Sequence, residues 1–223
     1  MNEMVQSGPT LVLTDVAKAF GQRQLFRNVC VELAPGSVTA LTGPSGVGKT
    51  TLLRIVAGLD APDAGDVWLN GKLATQGRRI LIEPHRRGVG MVFQQPALWP
   101  HMRVRAQVAF GLFDLTADAA SARTRAALEL ARVADLADVM PGRLSAGEAA
   151  RVALARALAP QPHCLLLDEP LAHLDIALRR ELIATIHRIS RETGTAALIV
   201  THTPEELTGI ADRILRLDGG IVA

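Results

Sequence analysis

The sequence predicts an α/β fold built on a parallel sheet, and three observations lead to this prediction. Short apolar runs that favour buried strands recur along the chain. Helical patterns separate these runs in the last third of the chain, and a glycine-rich turn joins an earlier run to another helical pattern. Strands that alternate with helices form parallel sheets covered on both faces. The predicted core strands occupy residues 38–41, 89–93, 163–167, 196–200 and 214–217, and the predicted helices occupy 51–57, 176–189 and 205–210.

A second layer of strands is predicted near the N-terminus. Residues 10–34 alternate between apolar and polar side chains, as the two faces of a strand do. Residues 66–69 are a further short strand, and Asn70 and Gly71 after it are a strong signal for a hairpin turn. Hairpin turns join antiparallel strands, so this layer is expected to be antiparallel.

A helical insertion is predicted in the middle of the chain, because no strand pattern occurs between residues 94 and 165. Helices are expected at 104–112 and 119–133, with a short third piece at 135–140 that Pro141 and Gly142 end. The length of 223 residues suits one or two compact domains, and the resemblance described below implies a single domain over residues 1–223. Its parts would be an N-terminal β-subdomain with core over about 10–95, a helical subdomain over about 96–160, and the remaining core over 161–223.

The glycine-rich turn has the pattern G-x-x-x-x-G-K-[ST], with a strand before it and a helix after it. Its glycines let successive backbone N–H groups point inward, and the helix N-terminus adds a partial positive charge. Lys49 is predicted to reach the β- and γ-phosphates of a nucleotide, and the Thr50 hydroxyl to ligate Mg²⁺. The predicted phosphate-binding residues are Gly43, Pro44, Ser45, Gly46, Val47, Gly48, Lys49, Thr50 and Thr51.

Two carboxylates follow the apolar strand at 163–167. Asp168 is placed to hold Mg²⁺, directly or through water, as a nucleotide-hydrolysing enzyme with this loop requires. Glu169 is placed to polarise the water that attacks the γ-phosphate. These residues predict an enzyme that hydrolyses a bound nucleotide with the help of Mg²⁺.

Composition excludes several other classes of protein. Lys and Arg together number 24 and Asp and Glu 22, which gives a formal charge of +2 and no long basic run that would bind nucleic acid. No apolar run approaches the 18 residues of a membrane span, and residues 1–10 lack a signal-peptide pattern. Cys30 and Cys164 both lie in apolar stretches, so we expect two buried thiols in a reducing compartment.

Several motifs follow one another in an order that resembles the ATP-binding cassette (ABC) ATPases. They are the loop at 43–50, Gln94, the run 144–148, Asp168 and Glu169, Asp175 in the run 172–175, and His202. The resemblance covers about residues 11–222 and implies a P-loop NTPase fold with a RecA-like core. Residues 85–94 and 99–101 are most similar to the ATPase subunits of bacterial importers.

The resemblance implies a head-to-tail dimer that clamps each nucleotide between the phosphate loop of one subunit and the signature of the other. The signature residues are Leu144, Ser145, Ala146, Gly147 and Glu148. The spacing of Ser145 and Glu148 also predicts a capping box at a helix start. The family commonly has Gly and Gln at the positions of Ala146 and Glu148. We expect Glu148 to fold back onto the Ser145 N–H and hydrolysis to survive.

The resemblance also implies roles for residues outside these motifs. Gln94 would touch Mg²⁺ and the attacking water, with Gln95 as the alternative, and His202 would contact the γ-phosphate. Asp175 would lie in the loop that crosses the dimer interface. Phe20 is the expected partner of the adenine ring, with Phe26 as its competitor.

The partners implied are a second copy or a paired ABC subunit, an integral membrane permease and an extracytoplasmic solute-binding protein, with no nucleic acid. The chain would then be cytoplasmic and peripheral on the inner face of the cell membrane. Trp99, Met102 and Phe113 are candidate residues for docking the permease, although core packing is an equal or better explanation for Phe113. Two alternatives are a catalytically weak nucleotide-binding subunit and a soluble ABC ATPase that does not serve transport.

Overall fold

Two five-stranded sheets and five helices make up the computed structural model, which describes residues 8–171 and 174–219. The strands are β1 Leu11–Phe20, β2 Arg23–Leu33, β3 Val38–Thr42, β4 Ala64–Leu69, β5 Lys72–Gln76, β6 Arg79–Ile80, β7 Val89–Val92, β8 Cys164–Asp168, β9 Ala196–Val200 and β10 Arg213–Arg216. The helices are α1 Lys49–Ala57, α2 Val104–Ala109, α3 Ala117–Leu130, α4 Ala146–Leu158 and α5 Ile176–Thr193. Short 3₁₀ turns occur at Pro84–Arg86, Ala134–Leu136, Pro141–Arg143 and Pro204–Leu207.

The core sheet is parallel, with strand order β10-β3-β9-β8-β7. β3, β8 and β9 are buried along their whole length, because helices or the second sheet cover both faces. This arrangement confirms the parallel sheet that the alternating pattern predicted.

The second sheet is antiparallel, with order β2-β1-β4-β5-β6. The predicted hairpin turn joins β4 to β5. Asn70 and Gly71 both have positive φ angles, as the two central residues of a type I′ turn require. One face of this sheet packs on α1 and the core sheet to form a shared apolar core. The prediction of an antiparallel N-terminal layer is therefore confirmed.

Helices α2, α3 and α4 form the predicted helical region, with an apolar core of their own. The expected helix at 104–112 ends earlier, and the expected piece at 135–140 is only the 3₁₀ turn Ala134–Leu136. The predicted helix at 205–210 is likewise a short 3₁₀ turn, Pro204–Leu207. Each is too short to gain the cooperative stability of a longer α-helix, so its backbone follows tertiary packing.

Two expectations about burial are wrong. Cys30 is exposed, because Val29 and Val31 on either side of it point to the buried face of β2 and alternate residues of a strand point to opposite faces. Phe113 is 74% exposed, so core packing does not account for it. Cys164 is buried, as expected.

Candidate nucleotide-binding site

The phosphate loop joins the end of β3 to the start of α1, and its backbone accepts only glycine at two positions. A side chain on Gly43, at φ 147°, would bring its Cβ to 2.2 Å from the Leu217 carbonyl oxygen. Gly48, at φ 106°, would bring a Cβ to 2.9 Å from the Phe26 ring. The close approach of these neighbours explains why the loop needs its glycines.

Lys49 lies inside the loop that it follows. Its side chain is almost fully buried, and its ammonium donates to the carbonyls of Gly43 at 2.8 Å and Pro44 at 3.1 Å. The positive charge is thereby held at the concave side of the loop, beside the N-terminus of α1. Ammonium, inward-facing backbone donors and helix N-terminus together suit a polyphosphate.

Thr50 and Asp168 meet beneath the loop. The Thr50 hydroxyl donates to Asp168 Oδ1 at 3.0 Å. Burial raises the pKa of the Asp168 carboxyl above its ordinary value, and the charge of Glu169 acts in the same direction, while Thr50 and Lys49 oppose it. A cation bound beside the Asp168 carboxylate would stabilise its charged form and so offset the effect of burial.

The oxygen donors of Thr50 and Asp168 fit Mg²⁺, which prefers hard ligands and keeps several water or phosphate oxygens. Within the described residues, no group of three or more His, Cys, Asp or Glu side chains could hold a metal ion by itself. Mg²⁺ is usually bound by one or two carboxylates together with substrate phosphates, so an ion here would be shared with the phosphates of a nucleotide.

Glu169 is held from both sides. Gln94 Nε2 donates to Glu169 Oε2 at 3.2 Å, and His202 Nδ1 lies 3.1 Å from Glu169 Oε1. The Glu169 backbone has a φ of 48°, in the left-handed region that non-glycine residues rarely adopt, and its N–H donates to the Val200 carbonyl. Such a conformation persists only when the surroundings fix it, and it is common at functional sites.

All these side chains lie at one edge of the parallel sheet, because each follows the carboxyl end of a strand. The loop follows β3, Gln94 follows β7, Glu169 follows β8 and His202 follows β9. In open α/β sheets this edge is where ligands bind. The structure thus brings together the predicted residues Lys49, Thr50, Gln94, Asp168, Glu169 and His202.

Phe20 and Phe26 differ sharply in exposure, with values of 57% and 0%. Phe26 is packed under Gly48 and has no free face for a ligand. Phe20 pairs across the hairpin with Arg23, and the Lys18 ammonium lies 5.3 Å from its ring centre. Of the two candidates, only Phe20 offers a ring face to an adenine.

Arg23 was not foreseen as part of the site. Its Nη2 donates to the Gly46 carbonyl at 3.1 Å, so it braces the phosphate loop from the β1–β2 hairpin. The partner is a backbone oxygen 23 residues away, and such contacts leave no pattern in a sequence.

The signature begins α4 with a complete capping box. Ser145 is the N-cap, its hydroxyl accepts from the Glu148 N–H at 3.3 Å, and Glu148 Oε2 accepts from the Ser145 N–H at 2.7 Å and hydroxyl at 2.8 Å. These bonds lower the pKa of the Glu148 carboxyl, those from the Ser145 N–H most of all. The expectation that Glu148 folds back is confirmed.

Other signature residues lie close to the core. A Cβ on Gly147 would be 3.2 Å from the Leu178 side chain, and Ala146 lines an apolar cavity of about 220 Å³ together with Gln94. Asp175 is the N-cap of α5 and accepts from the Leu178 N–H at 2.9 Å. Residues 172 and 173 of the same run lie outside the described residues. Across the described part of the chain, no hydrogen bond joins the signature to the phosphate loop.

The loop, the paired oxygens of Thr50 and Asp168, and the parallel sheet beneath them define a P-loop protein that binds nucleoside triphosphates. Residues 26–172 match the family described as ABC transporter, and the chain belongs to that family.

Relatives and solved structures agree with this assignment. The chain is 41% identical over 215 residues to the sulfate/thiosulfate import ATP-binding protein CysA of Gloeobacter violaceus, covering 96% of this chain and 61% of that protein. It is 40% identical over 216 residues to the maltose/maltodextrin import ATP-binding protein MalK of Vibrio vulnificus, covering 96% of this chain and 57% of that protein. The chain thus spans about three fifths of the length of these curated relatives.

Among solved structures, cbiO1 from Clostridium perfringens, described as part of the ABC transporter complex cbiONQ, is similar with a TM-score of 0.88 and 27% identity. This match covers 97% of the present chain and 88% of cbiO1.

Proposed function

We propose that the protein is the ATP-hydrolysing subunit of an ABC importer. The observation that carries the proposal is the position of Glu169. Its carboxylate lies between Gln94 and His202, and it follows Asp168, which is bonded to Thr50. The names of CysA and MalK, which are import ATP-binding proteins, support transport rather than another use of ATP. We propose one ABC domain over residues 1–223, in which the residues around 96–160 are the helical subdomain.

In this mechanism the phosphate loop and Lys49 hold the β- and γ-phosphates, and Phe20 stacks on the adenine. Thr50 and Asp168 would hold Mg²⁺ with Gln94, and the bound ion would supply positive charge against the phosphates. Glu169 accepts a proton from the attacking water. His202 Nδ1 lies 3.1 Å from the other oxygen of Glu169, and in this proposal its imidazole would donate to the γ-phosphate.

Hydrolysis in this proposal requires a second subunit. Leu144, Ser145, Ala146, Gly147 and Glu148 would face the γ-phosphate of the partner nucleotide, and Asp175 would lie at the interface. Support comes from the exposed N-terminus of α4, which makes no hydrogen bond to its own phosphate loop within the described residues. The partner subunit would be a second copy or a paired ABC subunit.

The helical region supplies the surface on which a membrane permease would dock. A groove of about 630 Å³ between α2 and α3 is lined largely by alanines, and the buried Thr124 hydroxyl in it has no hydrogen-bond partner. Nearby, Phe110 and Phe113 are exposed and Trp99 is half-buried. No helix within residues 8–171 and 174–219 is long and apolar enough to cross a membrane. We propose that the chain lies on the cytoplasmic face of the membrane, with transport through the permease and solute delivered by an extracytoplasmic binding protein.

The test is ATP hydrolysis by the purified protein and by Glu169→Gln, with Glu192→Gln on the exposed face of α5 as the control. We expect Glu169→Gln to lose activity by about 10²–10⁴-fold, the usual contribution of a general base, and to form a dimer when ATP is added. Glu192→Gln should keep its activity. ATP binding without hydrolysis, with or without the permease, would favour the alternative of a catalytically weak subunit.

A further inference from the structure

Arg156, in the last turn of α4, is bonded to the loop that follows Gln94. Its Nη1 donates to the Ala97 carbonyl and its Nη2 to the Pro96 carbonyl, each at 2.8 Å. A planar guanidinium can donate to two neighbouring carbonyls at once, whereas the compact ammonium group of a lysine lacks this fixed geometry. The two bonds cross from the helical region to a loop about 60 residues earlier in the chain.

Three further observations show that this contact is built into the fold. The guanidinium lies 5.1 Å from the centre of the Trp99 ring, a cation–π distance. Ala97 has a φ of 46°, a left-handed conformation that costs a non-glycine residue about 1 kcal/mol or more. Burial lowers the pKa of Arg156. Both ends of its guanidinium donate to this loop.

A second buried side chain fixes the other end of the loop. Gln107 on α2 is fully buried, accepts from the Trp99 N–H at 2.9 Å and donates to the carbonyls of Trp99 and Met102. Hydrogen bonds from Arg156 and Gln107 thus tie the segment from Pro96 to Met102 to α4 and α2. Gln94 lies two residues before Pro96, and its side chain donates to Glu169.

We propose that Arg156 is a positioning residue for hydrolysis, which sets the Gln94 amide on Glu169 by fixing Pro96 and Ala97. The inference rests on the proposed function. Because α4 also begins with the signature residue Ser145, a movement of α4 is transmitted by Arg156 to Gln94. Helix α4 thereby connects the signature, at its first turn, to the loop after Gln94, at its last turn.

The experiment compares Arg156→Gln and Arg156→Lys with Arg27→Lys, an exposed arginine on β2. We expect Arg156→Gln to lower kcat about tenfold while KM for ATP stays within about twofold, since the phosphate loop is untouched. Arg156→Lys should recover less than half of that loss, because it cannot hold both carbonyls. Thermal unfolding of each variant establishes that it is folded. A folded Arg156→Gln with wild-type kcat overturns the proposal.

A second readout does not need turnover. In a Trp68→Phe background Trp99 is the only tryptophan, so its emission reports on the loop. We expect Arg156→Gln to shift the Trp99 emission to longer wavelength and to increase its quenching by acrylamide. A wild-type protein that does not hydrolyse ATP even with the permease would contradict the proposed function, whereas an unchanged Trp99 spectrum in Arg156→Gln would show that Arg156 does not fix the loop and would overturn the inference.

Discussion

The hydroxyl of Thr50 donates to Asp168 Oδ1 at 3.0 Å, which joins the first turn of α1 to the end of β8. The two residues are 118 positions apart in the sequence. They place two hard oxygen ligands side by side next to the phosphate loop.

Replacing Thr50 by Val keeps its shape and removes the hydroxyl. We expect the Mg²⁺ concentration for half-maximal ATP binding to rise about tenfold or more, the usual effect of disturbing a metal site. Thr50→Ser keeps the hydroxyl and should behave like the wild type. A Mg²⁺ titration at fixed ATP makes the comparison, and equal midpoints for Val and Thr would remove Thr50 from the metal site.

Phe20 should contribute stacking energy to nucleotide binding. Loss of base–aromatic stacking typically costs about 1–3 kcal/mol, so Phe20→Ala should weaken ATP binding about 5- to 150-fold. Phe20→Trp should restore it. Leu81→Ala removes another exposed apolar side chain as a control. Calorimetric titration with ATP gives the affinities. Equal affinities for Phe20→Ala and the wild type would show that Phe20 does not stack on the adenine.

Asp63 anchors the end of β1 that carries Phe20. The Ala19 N–H donates to it at 2.8 Å and lowers the pKa of its carboxyl, and Arg78 acts in the same direction. A carboxyl with a lowered pKa in the folded state stabilises the protein above its unfolded pKa, and this contribution is lost as the pH falls through the folded value.

We therefore expect Asp63→Asn to be less stable than the wild type at pH 7, with the difference shrinking in acid. Thermal unfolding measured from pH 7 down to about 3, below the ordinary Asp pKa, tests this. A difference that does not change with pH would mean that the charge of Asp63 is irrelevant.

Arg87 is a buried cation that joins α1 to the antiparallel sheet. It donates to the carbonyls of Ile55 and Val56 at the end of α1 and to Ala74 and Thr75 on β5. We expect Arg87→Lys to lower the free energy of unfolding by about 2–4 kcal/mol, because several bonds to a charged donor are lost at once. Arg86→Lys, at the exposed neighbour, is the matched control. Urea unfolding gives both values.

Glu148 in place of the more common Gln should reduce ATP hydrolysis only slightly. Gln can complete a capping box as Glu does, so Glu148→Gln should keep its stability and hydrolyse ATP within about threefold of the wild type. Ser145→Ala removes the cap and should lose about 1 kcal/mol of stability. A much tighter ATP-driven dimer in Glu148→Gln, measured in a Glu169→Gln background, would show instead that the carboxylate weakens the clamp.

The sequence predicted the strand ends of the site well, because each motif residue directly follows an apolar run. Asp168 and Glu169 were predicted in this way, whereas Lys49 was predicted from the glycine-rich motif and His202 from the family resemblance. That such runs are parallel neighbours follows from the alternation of strands and helices, which is visible without a structure.

The arginines were not predictable. Arg23, Arg87 and Arg156 all bind backbone carbonyls that are distant in the sequence. A carbonyl is present at every residue, so nothing in the sequence singles out the partner. The exposure of Cys30, by contrast, follows from its position between Val29 and Val31, because alternate residues of a strand point to opposite faces.

The different exposure of the two cysteines makes the protein easy to label. Burial raises the pKa of the Cys164 thiol to about 12, so this thiol is neither accessible nor ionised at neutral pH. Cys30 is exposed on β2. A maleimide dye would therefore attach at a single position on the antiparallel sheet, and one fluorophore per chain could report on the approach of a second subunit without any mutation.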